Sequence, residues 1–408
     1  MALSVCAMIL SSCTQHSGLR RTPSNIQPAQ FGEVAAVEPS ASSIPVFYDT
    51  GPKIRARMLD LIESATDYIL INSFLVVTDP TTLEVMEALK KKHNSGVRIF
   101  VLADSSSIFM RPGKPGFKFL REAGIPFVEY NKLRLSKLIF TPAMFLRDHR
   151  KFWVVDGKTL FLGGANILAS SLDPRDEGGN RDIMVEVESA AAIQQMIESF
   201  VDAWNRASSR KLLPTSFSVS ANDSGPVKLW AYDQNRFAIG EDVILDMVEN
   251  QFSFAQEEVW LIQPYHFVTA ALLKKIRVLT ERGVEVNLML TDWIQAPRFH
   301  LASHYGIKNV LQAGGKVWLH RPENGRLHAK IIVVDDRCVS VGSANLNFRS
   351  LHLAKETNLV FDDAESLKNI LPIVEDLKEN CRPIELEEAR RYRAPRYLGG
   401  WLLMQLGG

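Results

Sequence analysis

One pattern of 18 residues occurs twice and limits what this chain can become. HRKFWVVDGKTLFLGGAN begins at His149, and HAKIIVVDDRCVSVGSAN begins at His328, 179 residues later. Both read His-x-Lys-x4-Asp and then Gly-x-x-Asn, without a gap. Ordinary residue frequencies put a single His-x-Lys-x4-Asp at about 0.03 occurrences in a chain of this length. Two copies with the same continuation therefore mean a duplicated unit. Flanking landmarks agree: GVRIFVLAD pairs with GVEVNLMLTD, and REAGIPFVEY with LQAGGKVWLH, at offsets of 187 to 190. The halves differ by a loop deletion, and so long a repeat is a duplicated domain rather than a solenoid.

From residue 46 onward, β-rich runs such as DYILINSFLVV and VRIFVLAD alternate with helical stretches such as TLEVMEALKKKHNSG and AAIQQMIESFVDAWNRA. The second half repeats the order. This alternation predicts an α/β fold: two pseudo-symmetric α/β/α halves, each with a mostly parallel central sheet. The expected boundaries are 46–206 for the first half, 207–228 for a Ser-, Pro- and Gly-containing linker, 229–385 for the second half, and 386–408 for a C-terminal tail.

Residues 1–45 read differently. MALSVCAMILSSC is apolar and ends in small residues before Cys13, as in a lipoprotein signal that would lipidate Cys13 and anchor the chain in a bacterial cell envelope. The positive n-region of such signals is missing, so a chance cysteine is the other reading. Residues 14–44 lack hydrophobic periodicity and are expected to form a flexible tether. With 47 Lys and Arg against 46 Asp and Glu, the net charge is +1, which argues against a nucleic-acid partner. The four cysteines have no metal-site or disulfide spacing, and no apolar run reaches the roughly 20 residues of a membrane-spanning helix. No protein partner is evident.

The motif carries the chemistry. Asp156–Gly157 is a two-residue hairpin signal. Counting outward from it puts Gly164 opposite His149, and the same count from Asp335–Asp336 puts Ser343 opposite His328. His149 and Lys151 lie two apart and share a strand face, as do His328 and Lys330. Asn166 and Asn345 follow two residues beyond the small residue. Two lysines and two asparagines converging suit a phosphate, and the ammonium heads supply its counter-charge, so the site calls for no metal and no cofactor. Two histidines at one phosphate suggest a nucleophile and a general acid/base. Asp156 and Asp335 have the wrong parity for that face and are expected to hold the hairpin ends.

These residues resemble the phospholipase D superfamily, whose signature counts His149, Lys151, Asp156, His328, Lys330 and Asp335 as its catalytic set. The resemblance runs from about residue 46 to 385 and is strongest to the bacterial cardiolipin synthases. GSANLNFRS and LAKETNLVFDD are similar to the family's GSAN-x-x-x-RS and its acidic strand, which makes Glu356 an orienting partner for a histidine. GGNRDIMVEVES resembles the W-R-D-x-x-V-x-V segment and gives Asp182 the same place, although Asn180 stands where the family has an aromatic. The resemblance implies one shared active site and a metal-independent transfer of a phosphatidyl group through a phosphohistidine, with phosphatidylglycerol or a similar phospholipid as substrate and cardiolipin as product. It implies His149 as nucleophile and His328 as acid/base. A hydrolase releasing phosphatidic acid uses the same residues, as would a nuclease, which the charge disfavours. For membrane contact the sequence offers Arg390, Arg391, Arg393 and Arg396 ahead of Trp401–Met404, with glycines that argue against a regular helix there. The run from Lys132 to Asp148 is a second basic and apolar stretch.

Overall fold

The computed structural model describes residues 31–109, 114–132, 146–222, 224–235, 242–265, 269–292 and 298–405. Cys13 and most of the Lys132–Asp148 stretch lie outside them. The N-terminal β1 (Ser40–Ser42) joins the sheet of the second half. The first half supplies β2 (Val46–Tyr48), β3 (Tyr68–Ser73), β4 (Arg98–Asp104), β5 (Phe127–Tyr130), β6 (Phe152–Val155), β7 (Thr159–Gly163), the short β8 (Asn180–Arg181) and β9 (Met184–Val187). The second half supplies β10 (Val227–Gln234), β11 (Glu258–Ile262), β12 (Glu285–Thr291), β13 (Lys316–His320), the short β14 (Arg326–Leu327), β15 (Ile331–Val334), β16 (Cys338–Gly342), β17 (Glu356–Phe361) and β18 (Cys381–Pro383). The first sheet has seven strands in the order β2-β9-β7-β6-β3-β4-β5; the second has nine, β1-β10-β17-β16-β15-β11-β12-β13-β18.

Both sheets are mixed, where the alternation of strands and helices had predicted mostly parallel ones. Only β3-β4-β5 and β11-β12-β13 run parallel. Helical crossovers connect those strands. The two strands of each motif hairpin are joined by a tight turn and pair antiparallel, and after a short helical segment the next strand returns antiparallel beside the hairpin.

A core joins the facing sides of the two sheets. Helix α2 (Ala190–Ala207) contributes Ile193, Met196, Ile197, Phe200 and Trp204 to it, a stripe at helical spacing. Burying each such side chain is worth about 1.5–3 kcal/mol. Helix α4 (Ala364–Glu379) contributes Leu367, Ile370, Val374 and Leu377 from the other half. The outer faces are covered separately; helix α1 (Gly51–Ser64) packs on the first sheet through Ile54, Met58, Leu61 and Ile62.

The described part of the expected tether, the linker and the C-terminal tail are all docked. Phe31 is 1% exposed and packs edge-on against Trp230 at 5.2 Å, so residues 31–44 belong to the second half rather than to a flexible tether. The linker is pinned to the first sheet: Phe217 packs against Tyr68 and Phe100, and the Ser218 carbonyl accepts from the Tyr68 hydroxyl. A Cβ on Gly157 would meet that carbonyl at 1.9 Å, so the close approach requires glycine, and the φ of +61° favours it. The C-terminal tail forms α5 (Pro395–Gln405) on α3 (Arg298–Gln312), with Trp401 against Tyr305 and Arg393 over the same ring. Tertiary packing outweighs the helix cost of Gly399 and Gly400, about 1 kcal/mol each. Leu402 stays half-exposed.

Candidate active site

The two motif hairpins, β6-β7 and β15-β16, are built alike but one residue out of the counted register. Lys158 donates to the Val155 carbonyl across Asp156–Gly157, yet the ladder resumes with Val155 opposite Thr159. Arg337 and Val334 repeat this, with Val334 opposite Cys338. The turn aspartates set the arrangement. Asp156, at φ +52°, accepts backbone N–H bonds from Thr66, Asp67 and Tyr68 at 2.7–2.9 Å. Asp335, also at φ +52°, accepts from Gln256, Glu257 and Glu258 at 2.8–2.9 Å. Both carboxylates are occupied in fastening the hairpin to the central strand. They sit at the far end of it from the histidines, which removes them from the reacting set.

The shifted register changes what Gly164 and Ser343 do. Neither faces its own histidine. Each pairs with the strand that carries its own half's acidic residue: Gly164 donates to the Ile183 carbonyl, and Ser343 to that of Thr357. A Cβ on Gly164 would lie 2.1 Å from Asp182 Oδ1, and Ser343 Oγ donates to Glu356 Oε2 at 2.5 Å. The small residue makes room for a carboxylate rather than for a substrate group.

The carboxylates then cross over. The Lys355 carbonyl accepts from the His149 amide, and Asp148 bridges to Lys355; β8 runs parallel to β14, and the Arg181 carbonyl accepts from the amides of His328 and Ala329. The residue after each of these contacts is the acid. Glu356 of the second half thus meets His149 Nδ1 at 2.9 Å, and Asp182 of the first half meets His328 Nδ1 at 2.6 Å. Each half orients the other's histidine. With Nδ1 engaged, Nε2 is the nitrogen left for chemistry. Lys330 Nζ lies 3.0 Å and 3.3 Å from the two nitrogens of His328. Lys151 and Lys330 also each donate to the carbonyl of the histidine two residues before them.

Burial and crowding by positive charge set the protonation. Burial first, then Lys151, Arg349 and Lys330, hold His149 well below the usual imidazole range. Burial also lowers His328, but Asp182 opposes that shift. Burial brings Lys151 down to about 7 and Lys330 to about 8. Burial lifts Glu356 to about 7, while for Asp182 the charges of His328 and Lys330 outweigh burial and keep it below the carboxylate range. One pair is therefore a neutral imidazole beside a carboxyl that is partly protonated at neutral pH, and the other is an imidazole on an ionised carboxylate.

The surroundings are less symmetric than the motifs. Phe74 packs edge-on against His149 at 4.8 Å and under Lys151. Between His149 and Lys151, Arg150 is fully buried and bonded to Asp148, Ser199 and Asp233, whereas Ala329 occupies that position in the second copy. Asn166 Oδ1 accepts from the Leu75 amide, and Asn345 Nδ2 approaches the Tyr265 hydroxyl at 3.5 Å. Arg349 and Tyr265 were given no role in the sequence reading. The only signal for Arg349 was its place in GSANLNFRS, and Tyr265 had none.

With this geometry in place, comparison with known proteins identifies the class. The family model described as "Cardiolipin synthase, PLD-like domain" matches residues 58–204 and 248–377, one segment in each half, and the chain belongs to that family. It is 30% identical over 359 residues to the major cardiolipin synthase ClsA of Bacillus subtilis, covering 84% of this chain and 70% of the relative. It is 29% identical over 339 residues to cardiolipin synthase A of Pseudomonas putida, covering 83% and 69%. Across the first relatives the chain spans 63% to 70% of their length. The fold is similar to a crystal structure of phosphatidylserine synthase from Haemophilus influenzae, with a TM-score of 0.72 over 92% of this chain and 95% of that one, at 16% identity.

Proposed function

We propose that the chain is a cardiolipin-forming phosphatidyltransferase that takes phosphatidylglycerol as both donor and acceptor. The observation that carries this reading is the crossed pair of histidines, each with Nδ1 held by a carboxylate and a lysine two residues on. Nε2 of neutral His149 attacks phosphorus, and the bond from phosphorus to the glycerol oxygen breaks. His328, whose protonated form ionised Asp182 and the entering phosphodiester anion both favour against burial, gives its proton to the departing alkoxide, and glycerol leaves. The hydroxyl of a second phosphatidylglycerol then gives its proton to His328 and attacks phosphorus. The phosphorus–nitrogen bond breaks and cardiolipin forms. Lys151 and Lys330 bind the non-bridging oxygens and offset the charge that builds on them. Partly protonated Glu356 holds the imidazole of His149 in both states.

The unequal environments support this order. The side chain of His149 is 8% exposed and that of His328 is 25% exposed, as suits a group that must trade protons with incoming and leaving hydroxyls. A lipid substrate places the enzyme at a membrane surface. No helix among the described residues is long and apolar enough to cross one.

The test is product analysis of the full chain with phosphatidylglycerol vesicles by mass spectrometry. Cardiolipin with an equal amount of glycerol is expected. Phosphatidic acid alone would replace this reading with a hydrolase, and unchanged lipid would remove phosphatidylglycerol as substrate.

A further inference from the structure

The second half carries polar groups at the site that have no equal in the first half. Asn345 is 1% exposed, and its Oδ1 has no hydrogen-bond partner among the described residues. Its counterpart Asn166 is satisfied by the Leu75 amide. A carbonyl oxygen cannot bind a phosphodiester oxygen, since both only accept; it needs a hydroxyl or N–H donor. Four residues beyond Asn345 stands Arg349, where the first half has Ser170. Arg349 stands close enough to the Tyr265 hydroxyl to oppose the rise that burial gives its pKa, and that hydroxyl accepts from Asn345 Nδ2 at 3.5 Å. The three residues form one connected cluster close to His149.

Charge gives this cluster a reason. The transferred phosphodiester is one negative charge, already faced by Lys151 and Lys330. The site's two carboxylates are engaged by the histidines. Arg349 is a permanent third cation, beyond what one phosphodiester needs, and its planar fork suits a phosphate. The acceptor lipid brings a second phosphodiester, attached to a glycerol whose hydroxyls can donate. We propose that Arg349, Tyr265 and Asn345 form the acceptor subsite, with Arg349 on the acceptor's phosphate and Asn345 Oδ1 on a hydroxyl of its glycerol head group. The lipid so held presents its other hydroxyl to the phosphohistidine: the new oxygen–phosphorus bond forms, the phosphorus–nitrogen bond breaks, and the proton passes to His328. This subsite rests on the phosphatidyl-transfer reading above.

The experiment separates the two lipids. Full chain and Arg349→Gln are each given phosphatidylglycerol vesicles with deuterated glycerol, and two products are followed by mass spectrometry. Incorporation of labelled glycerol into phosphatidylglycerol needs the donor site but no second lipid; cardiolipin needs both. Losing a charged hydrogen bond to the acceptor is expected to lower cardiolipin formation at least about tenfold more than glycerol exchange. Tyr265→Phe should show the same selectivity with a smaller loss, which guards against misfolding of the arginine variant. Equal loss of both products in either folded variant, or no loss, would overturn the acceptor subsite while leaving the transferase reading intact. A wild-type chain that makes no cardiolipin would overturn both.

Discussion

The first and second halves carry the same motif in the same hairpin, and they surround it differently. In the first, His149 is nearly sealed, packs against Phe74, and faces a Glu356 lifted to about 7. In the second, His328 is more open and faces an Asp182 kept below the carboxylate range. Arg150 ties the first motif into a buried ionic cluster with Asp148 and Asp233, whereas uncharged Ala329 stands at that position of the second motif. The repeat supplies two histidines, and their divergent surroundings are what the proposed separation of roles rests on. The carboxylates are crossed, so each half lends the other the group that orients its histidine.

The largest expected effect follows from that separation. His149→Ala and His328→Ala should each lower cardiolipin formation by about 10³-fold or more. They should differ in what accumulates. His328→Ala retains the nucleophile, so intact-mass spectrometry of this variant after exposure to phosphatidylglycerol should show a phosphatidyl adduct. His149→Ala should show none. An adduct on His149→Ala and not on His328→Ala would exchange the roles of the halves.

A smaller effect tests the carboxylates. Asp182→Asn removes a charge that stabilises protonated His328, and should lower kcat by roughly 10²–10⁴-fold. Glu356→Gln replaces a group already partly protonated and should cost about one to two orders of magnitude less. Equal losses in steady-state kinetics would mean that the two histidine–carboxylate pairs work alike.

The sequence exposed the repeat, the strand and helix order, and the His and Lys positions, because identical spacing survives in the linear chain. The resemblance to a family pointed to Asp182 and Glu356. Their crossed pairing could not be read, since His149 and Glu356 are 207 residues apart and meet only through the exchanged strand contacts. The register slipped by one because the turn aspartates bind a neighbouring strand, which no local turn rule includes. Phe31 gave no periodic signal, and docks through one aromatic contact cluster. The tail became helical because Tyr392, Tyr397 and Trp401 found partners on the domain. Arg349 was in view but unassigned, because Ser170 breaks the symmetry that drew attention to the other residues.

The smallest effect concerns the two lysines, and its sign follows from their burial. Lys151 lies near 7 and Lys330 near 8 in the folded chain, both well under the ordinary 10.5 that applies once the chain unfolds. Below the folded values both are charged in either state, and the cost of burying them is fully present. As pH rises from about 7 toward 10.5, the folded chain gives up these protons before the unfolded chain does, and that cost falls away. An anion between the lysines offsets it only while they are charged. Sulfate keeps the same charge across this range and mimics the phosphate. Added sulfate should therefore raise Tm by a few degrees at pH 6.5 and by clearly less at pH 9. Lys151→Met, which removes the more strongly perturbed cation, should raise the sulfate-free Tm at pH 6.5 more than Lys330→Met does. It should also weaken the sulfate response. Scanning calorimetry of the three proteins at both pH values decides the matter: a sulfate shift that ignores pH, or one that survives both substitutions, would take the anion away from the lysines.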